Sequence, residues 1–184
     1  MANADLLKSV REGRSGDVVR LLMVGANVNA RNTVLETPLM FAAGNGDVHI
    51  MNILFRNGAN LDAEDGSGST ALLWAAVALS VGALQFLITK GANVNARDVD
   101  NFGAIHWVRA RSLVGARYDF AVSFDASRRY LQMIQLLILG GASLDDLNTA
   151  ELSYIYEYGN NDVREIIENS GREYDETEPE IEDF

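Results

Sequence analysis

Two histidines, His49 and His106, are the only side chains of the 184 residues whose ordinary pKa lies near neutrality, and the chain contains no cysteine. Without cysteine there is no thiolate nucleophile, no Cys-ligated zinc and no disulfide. Neither histidine stands in a metal-ligand spacing, and no phosphate loop or nucleophile motif is present. A serine, a histidine and a carboxylate can meet by accident of folding in any chain, but nothing in the spacing selects such a set. No catalytic residue, metal or cofactor is expected. The spacing that does recur belongs to large aromatics: Phe41, Trp74 and Trp107 follow one another at intervals of 33 residues. Their chemistry is binding. A ring that reaches a surface buries about 150–250 Å² against a partner, and Trp is enriched among interface residues whose loss costs about 2 kcal/mol or more.

The elements that carry these rings repeat with them. Gly25-Ala26-Asn27-Val28-Asn29-Ala30, Gly58-Ala59-Asn60-Leu61-Asp62-Ala63, Gly91-Ala92-Asn93-Val94-Asn95-Ala96 and Gly141-Ala142-Ser143-Leu144-Asp145-Asp146 share one pattern, with glycines 33, 33 and 50 residues apart. A second phrase follows twelve residues after a glycine, as Thr37-Pro38-Leu39-Met40-Phe41-Ala42-Ala43 and Thr70-Ala71-Leu72-Leu73-Trp74-Ala75-Ala76. Thr37 before Pro38 predicts a helix start, hydroxyl cap then proline at the first helical position. The small pairs Ala42-Ala43 and Ala75-Ala76 let neighbouring helices approach closely. Gly46 ends this short helix and Asp47 caps the next. The second helix of each unit then shows apolar residues at i, i+3, i+4: Val18, Leu21 and Leu22; Met51, Leu54 and Phe55; Leu84, Leu87 and Ile88; Ile134, Leu137 and Ile138. Each recurrent glycine lies just past that helix, where a left-handed cap is least strained without a Cβ.

These two phrases, in this spacing, resemble the ankyrin-repeat family, and the resemblance covers roughly residues 4 to 147. It implies an all-α solenoid of about five helix-turn-helix repeats joined by β-hairpin-like loops. The units are read as 1–32, 33–65, 66–98, 99–147 and 148–170 in one domain, 1–170. The interval of 50 is 33 plus 17, so the fourth repeat carries a 17-residue insertion around 111–125. That stretch is too apolar for a disordered loop: either both helices of the unit are longer or a flap packs back on the stack. In the last unit Gly159-Asn160-Asn161-Asp162 echoes Gly44-Asn45-Gly46-Asp47, with a following helix about two residues short, which reads as a degenerate cap. A single unit cannot hide its apolar stripe, so stability comes from stacking neighbours.

The resemblance also implies where binding occurs. In the family the hairpin tips and the first helices line a concave face and meet partners through non-consensus positions. His106 stands at the consensus histidine, whose role is a structural hydrogen bond, and Phe41, Trp74 and Trp107 take the position after it. An aromatic on an apolar helix is as readily core as surface, but this register places the three rings side by side in the groove. Val34 and Glu36 on one tip, and Val99, Asp100 and Phe102 on another, join them as candidate partner-binding residues. The tip between, Asp65-Gly66-Ser67-Gly68-Ser69, has little to grip with.

Charge narrows the partner. The net charge is −11, which disfavours phosphate backbones and anionic membranes, and leaves a basic protein as the favoured ligand. Residues 171–184 hold seven carboxylates against Arg172, a net of −6 in an acidic tail expected to be disordered. Arg109, Arg111, Arg117, Arg128 and Arg129 flank the insertion as a secondary basic patch for an acidic surface, a phosphate or the chain's own tail. No apolar run approaches a bilayer span and no secretory leader is seen, so a monomeric cytoplasmic protein is expected. The functional expectation is a protein–protein interaction module. An inhibitor or immunity protein that sequesters a basic toxic enzyme is the alternative, followed by a pathogen or viral adaptor for host proteins and by a nucleic-acid mimic built on the tail.

Overall fold

A computed structural model of the chain describes residues 2–115 and 120–172, with side chains over 2–111 and 128–172. The helices come in pairs: α1 (Ala2–Arg11) and α2 (Ser15–Met23), α3 (Pro38–Asn45) and α4 (Val48–Arg56), α5 (Ala71–Val77) and α6 (Val81–Thr89), α7 (Ala104–Gly115) and α8 (Phe120–Leu139), then α9 (Thr149–Tyr158) and α10 (Asn161–Asn169) after a 3-10 turn at Leu144–Asp146. Among the described residues there is no β-strand. Helices α1, α3, α5 and α7 form an inner row, each on the next, and α2, α4, α6 and α8 an outer row behind it. The inner row is close-packed because Ala42, Ala43, Ala75 and Ala76 are buried with no bulk to hold the helices apart.

The caps follow the sequence. Thr37 accepts a hydrogen bond from the Met40 N–H ahead of Pro38, Gly46 closes α3 with a left-handed backbone, and the Asp47 carboxylate accepts from the Ile50 N–H at 2.9 Å. Thr70, in the same place before α5, instead leaves its Oγ1 buried without a hydrogen bond. Of the stripes of the second helices, Val18, Met51, Leu54, Leu84, Leu87, Ile134, Leu137 and Ile138 are buried in the core, and Leu21, Leu22, Phe55 and Ile88 are half-buried. Truncation of any one of the leucines to Ala removes about 2–5 kcal/mol.

Two expectations are refined. Helices α7 and α8 run to 12 and 20 residues, where their counterparts α3 to α6 have seven to nine, so the described part of the fourth unit has longer helices. Residues 116–119 between them lie outside the described residues. The final helix is not short. Helix α10 has nine residues, as α2, α4 and α6 do, because its cap is Asn160, which accepts from the Val163 N–H, and not Asp162. The echo with residues 44–47 is therefore displaced by two positions.

Candidate functional site: the concave groove

Between the helix pairs the chain makes three extended fingers, each organised by its first residue. Asn32, Asp65 and Asp98 stand 33 residues apart, and each accepts backbone N–H bonds from within its own finger: Asn32 from Val34 and Glu36, Asp65 from Ser67 and Ser69, Asp98 from Asp100 and Phe102. The fingers are closed by hairpin-like bonds, Asn32 to Glu36, Asp65 to Ser69 and Asp98 to Phe102. Neighbouring tips are joined, the Gly66 N–H donating to Val34 O and the Val99 N–H to Ser67 O, both at 2.9 Å. A side-chain acceptor at the base of each finger thus fixes a loop that has no apolar core of its own.

The second oxygen of each aspartate reaches the inner helices. Asp65 Oδ2 accepts from the Trp74 indole Nε1–H at 2.9 Å, and Asp98 Oδ2 from the Trp107 Nε1–H at 3.0 Å. Burial raises the pKa of the Asp65 carboxyl, but the bonds from Ser67, Trp74 and Ser69 outweigh it and hold the group below its ordinary value. Both indoles are therefore pinned, half-buried, at the floor of a groove of about 600 Å³ whose lining includes Glu36, Phe41, Asp65, Leu73, Trp74, Val77, Trp107 and Arg111. Phe102, 44% exposed, packs edge-on against Trp107 with centroids 5.9 Å apart.

The sequence-derived candidates divide here. Val34 (54% exposed), Val99 (73%) and Asp100 are on the finger tips, and Glu36 is half-buried beside Asn32. Phe41 is corrected: it is only 8% exposed, because the Arg11 guanidinium lies 4.5 Å over its ring and the edge of Trp74 meets it at 5.7 Å. It lines the groove with little exposed surface of its own. Since the two indoles also pack on the core, truncating them removes structure as well as surface. Two arginines of the basic patch are engaged within the chain. Arg109 is paired through two nitrogens with Glu151 and donates to the Asp146 carbonyl, and Arg111 donates to the Val77 carbonyl. Arg128 and Arg129 are exposed on α8, and Arg117 lies outside the described residues, as does the tail from 173 onward. Three residues were missed: Arg11, and the finger aspartates Asp65 and Asp98, whose position nine residues before each Trp repeats with the same 33-residue period and marks them in the sequence. Leu35, exposed beside Val34, is a fourth.

A family model described as ankyrin repeats, in three copies, matches residues 6–98, half of the chain. The chain belongs to the ankyrin-repeat family. No curated protein matches it. The matched span ends where the 33-residue period gives way to the longer α7 and α8. Ankyrin repeats are in general protein–protein interaction modules, and the family is typically non-catalytic. The histidine of the fourth unit agrees with a structural role, His106 Nδ1 accepting from the Gly103 N–H at 3.4 Å. Among the described residues no helix is long and apolar enough to cross a membrane.

Proposed function

We propose that this ankyrin-repeat chain captures another protein through the groove between its fingers and the inner helices α3, α5 and α7. The observation that carries the reading is Trp74 and Trp107 lining one groove, with Phe102 packed on Trp107, Val99 exposed on the same finger as Phe102, and Val34 and Leu35 exposed on a second finger. The apolar side chains on the fingers, Val34, Leu35, Val99 and Phe102, stand outside the buried core of the stack, and their exposure is accounted for by a surface that is covered in a complex. The carboxylates of Glu36, Asp65, Asp98 and Asp100 beside them, and the overall charge of −11, favour a basic target. That preference supports sequestration of a basic enzyme as a second reading, ahead of an adaptor with several partners. The absence of cysteine supports a reducing, cytoplasmic setting.

The test uses exposed finger residues, which leave the core intact. The triple variant Val34→Ala/Val99→Ala/Phe102→Ala should bind a partner purified from the native cell more than about tenfold more weakly, with circular dichroism and melting close to those of the unaltered chain. Unchanged affinity in a folded triple variant would place the contact elsewhere.

A further inference from the structure

We infer that the pocket between Trp74 and Trp107 receives an arginine side chain of the partner, with its guanidinium against the indole faces; this rests on the groove being the binding surface. The chain holds its own precedent. Arg11, at the end of α1, lays its guanidinium over Phe41, thirty residues further on. The 33-residue period puts Gly44 and Val77 where Arg11 stands, each thirty residues ahead of one tryptophan. Neither can supply a charge. Gly44 offers only backbone, and a Cβ there would come within 3.0 Å of Trp74 Cε3. Among the described residues, the cations that lie over rings lie over Phe41, Phe55, Phe86 and Tyr156, and none lies over either tryptophan. The ring type that attracts cations most strongly is thus the one that, among the described residues, has no cation of the chain's own over it.

The surroundings favour a cation there. Each indole donates its N–H to a carboxylate, which polarises the ring and makes its face more negative. Glu36 and Asp65 line the same pocket on its finger wall, and Asp65 is held ionised by its hydrogen bonds. Arg111 also lines it, but its Nε donates to the carbonyl of Val77 at 3.1 Å, at the end of α5 furthest from the fingers. The finger wall stays anionic and the opposite wall does not. Arginine suits such a slot better than lysine, because a planar, weakly hydrated guanidinium stacks on aromatic faces and keeps its charge at every working pH.

The chain has two tryptophans, so the indole N–H region of a nitrogen-15 spectrum reports the pocket through two signals. The probes are acetyl-Gly-Leu-Arg-Leu-Gly-amide and the same peptide with citrulline, a neutral isostere, at its centre. The arginine peptide should shift both indole signals saturably, the citrulline peptide should bind about tenfold more weakly, and added salt should narrow the gap. Val77→Arg, which sets the chain's own guanidinium thirty residues ahead of Trp107, should weaken the arginine peptide by a comparable factor, while Val77→Met should not. Equal binding of the two peptides to the unaltered chain, or no saturable indole shift, overturns the inference. So does a folded Val77→Arg variant that binds the arginine peptide undiminished. These failures leave the groove reading intact as long as the purified partner still protects the fingers from hydrogen exchange; protection of the outer helices instead would remove both.

Discussion

Leu35, Gly68 and Asn101 occupy the same place in three successive fingers, and all have left-handed backbone, with φ of 65°, 75° and 65°. Glycine and asparagine tolerate that conformation, whereas for leucine it costs roughly 1–2 kcal/mol. Leu35 is also exposed, so it carries strain and an unfavourable surface together. The sequence shows only a leucine on a loop; the strain becomes visible once the 33-residue period aligns it with Gly68. Replacing it by glycine should raise the melting temperature, the relief of strain exceeding the roughly 0.5–1 kcal/mol that glycine loses in chain entropy, while weakening partner binding. A lower melting temperature in Leu35→Gly would refute the strain. Asp65 gives a second test at this scale. A carboxyl whose folded pKa lies below its unfolded value contributes stability that is present above the unfolded pKa and is lost as pH falls through the folded one, here below about pH 4. Acid titration should therefore change Trp74 emission as its Asp65 acceptor is protonated, and Asp65→Asn should flatten that part of the stability profile. An acid limb identical in the two proteins would mean that the finger does not depend on this charge.

At the scale of elements, most of the architecture was legible because each signal was local. Thr37-Pro38, Gly46 and Asp47 fix helix ends by caps that need no partner from elsewhere in the chain, and the apolar stripes of α4, α6 and α8 are written at helical spacing. What was not legible depends on long-range pairing. Arg109 reads in sequence as one of five clustered cations, yet it is committed to Glu151, 42 residues away, with bonds of 2.6 and 2.7 Å. Glu151 also accepts from the Tyr130 hydroxyl and from the Asn148 N–H at the start of α9. Burial, and then the charge of Glu151, keep the Tyr130 phenol well above its ordinary pKa, so it stays a neutral donor. One carboxylate thus ties α7, α8 and α9 together. Glu151→Gln should cost about 1–3 kcal/mol, within the range for a partly buried ion pair, and should accelerate hydrogen exchange in α9 and α10 more than in α3 to α6. A uniform change along the chain would show that the last pair is not held by this contact.

For the whole molecule, the period of 33 residues does two jobs. It stacks the inner helices by placing small residues at equal intervals, and it lays the finger aspartates and the rings beneath them in parallel rows across the groove. The rows were visible in the sequence, but the depth of each ring was not. Phe41, Trp74 and Trp107 hold equivalent positions, and Phe41 is covered by Arg11, which ends the preceding inner helix, as well as by Trp74, whereas the later units have Gly44 and Val77 in the place of Arg11. Equivalent positions therefore differ in function through their neighbours in the adjacent unit, and the open part of the groove falls at Trp74 and Trp107.

Hydrogen–deuterium exchange on the chain, free and bound to a partner purified from its native cell, tests the central claim most directly. Protection on binding should concentrate in residues 33–36, 65–69 and 98–102 of the fingers and around Trp74 and Trp107, with α4 and α6 unchanged. Protection confined to α4 and α6 on the outer row, with the fingers exchanging as in the free protein, would contradict it.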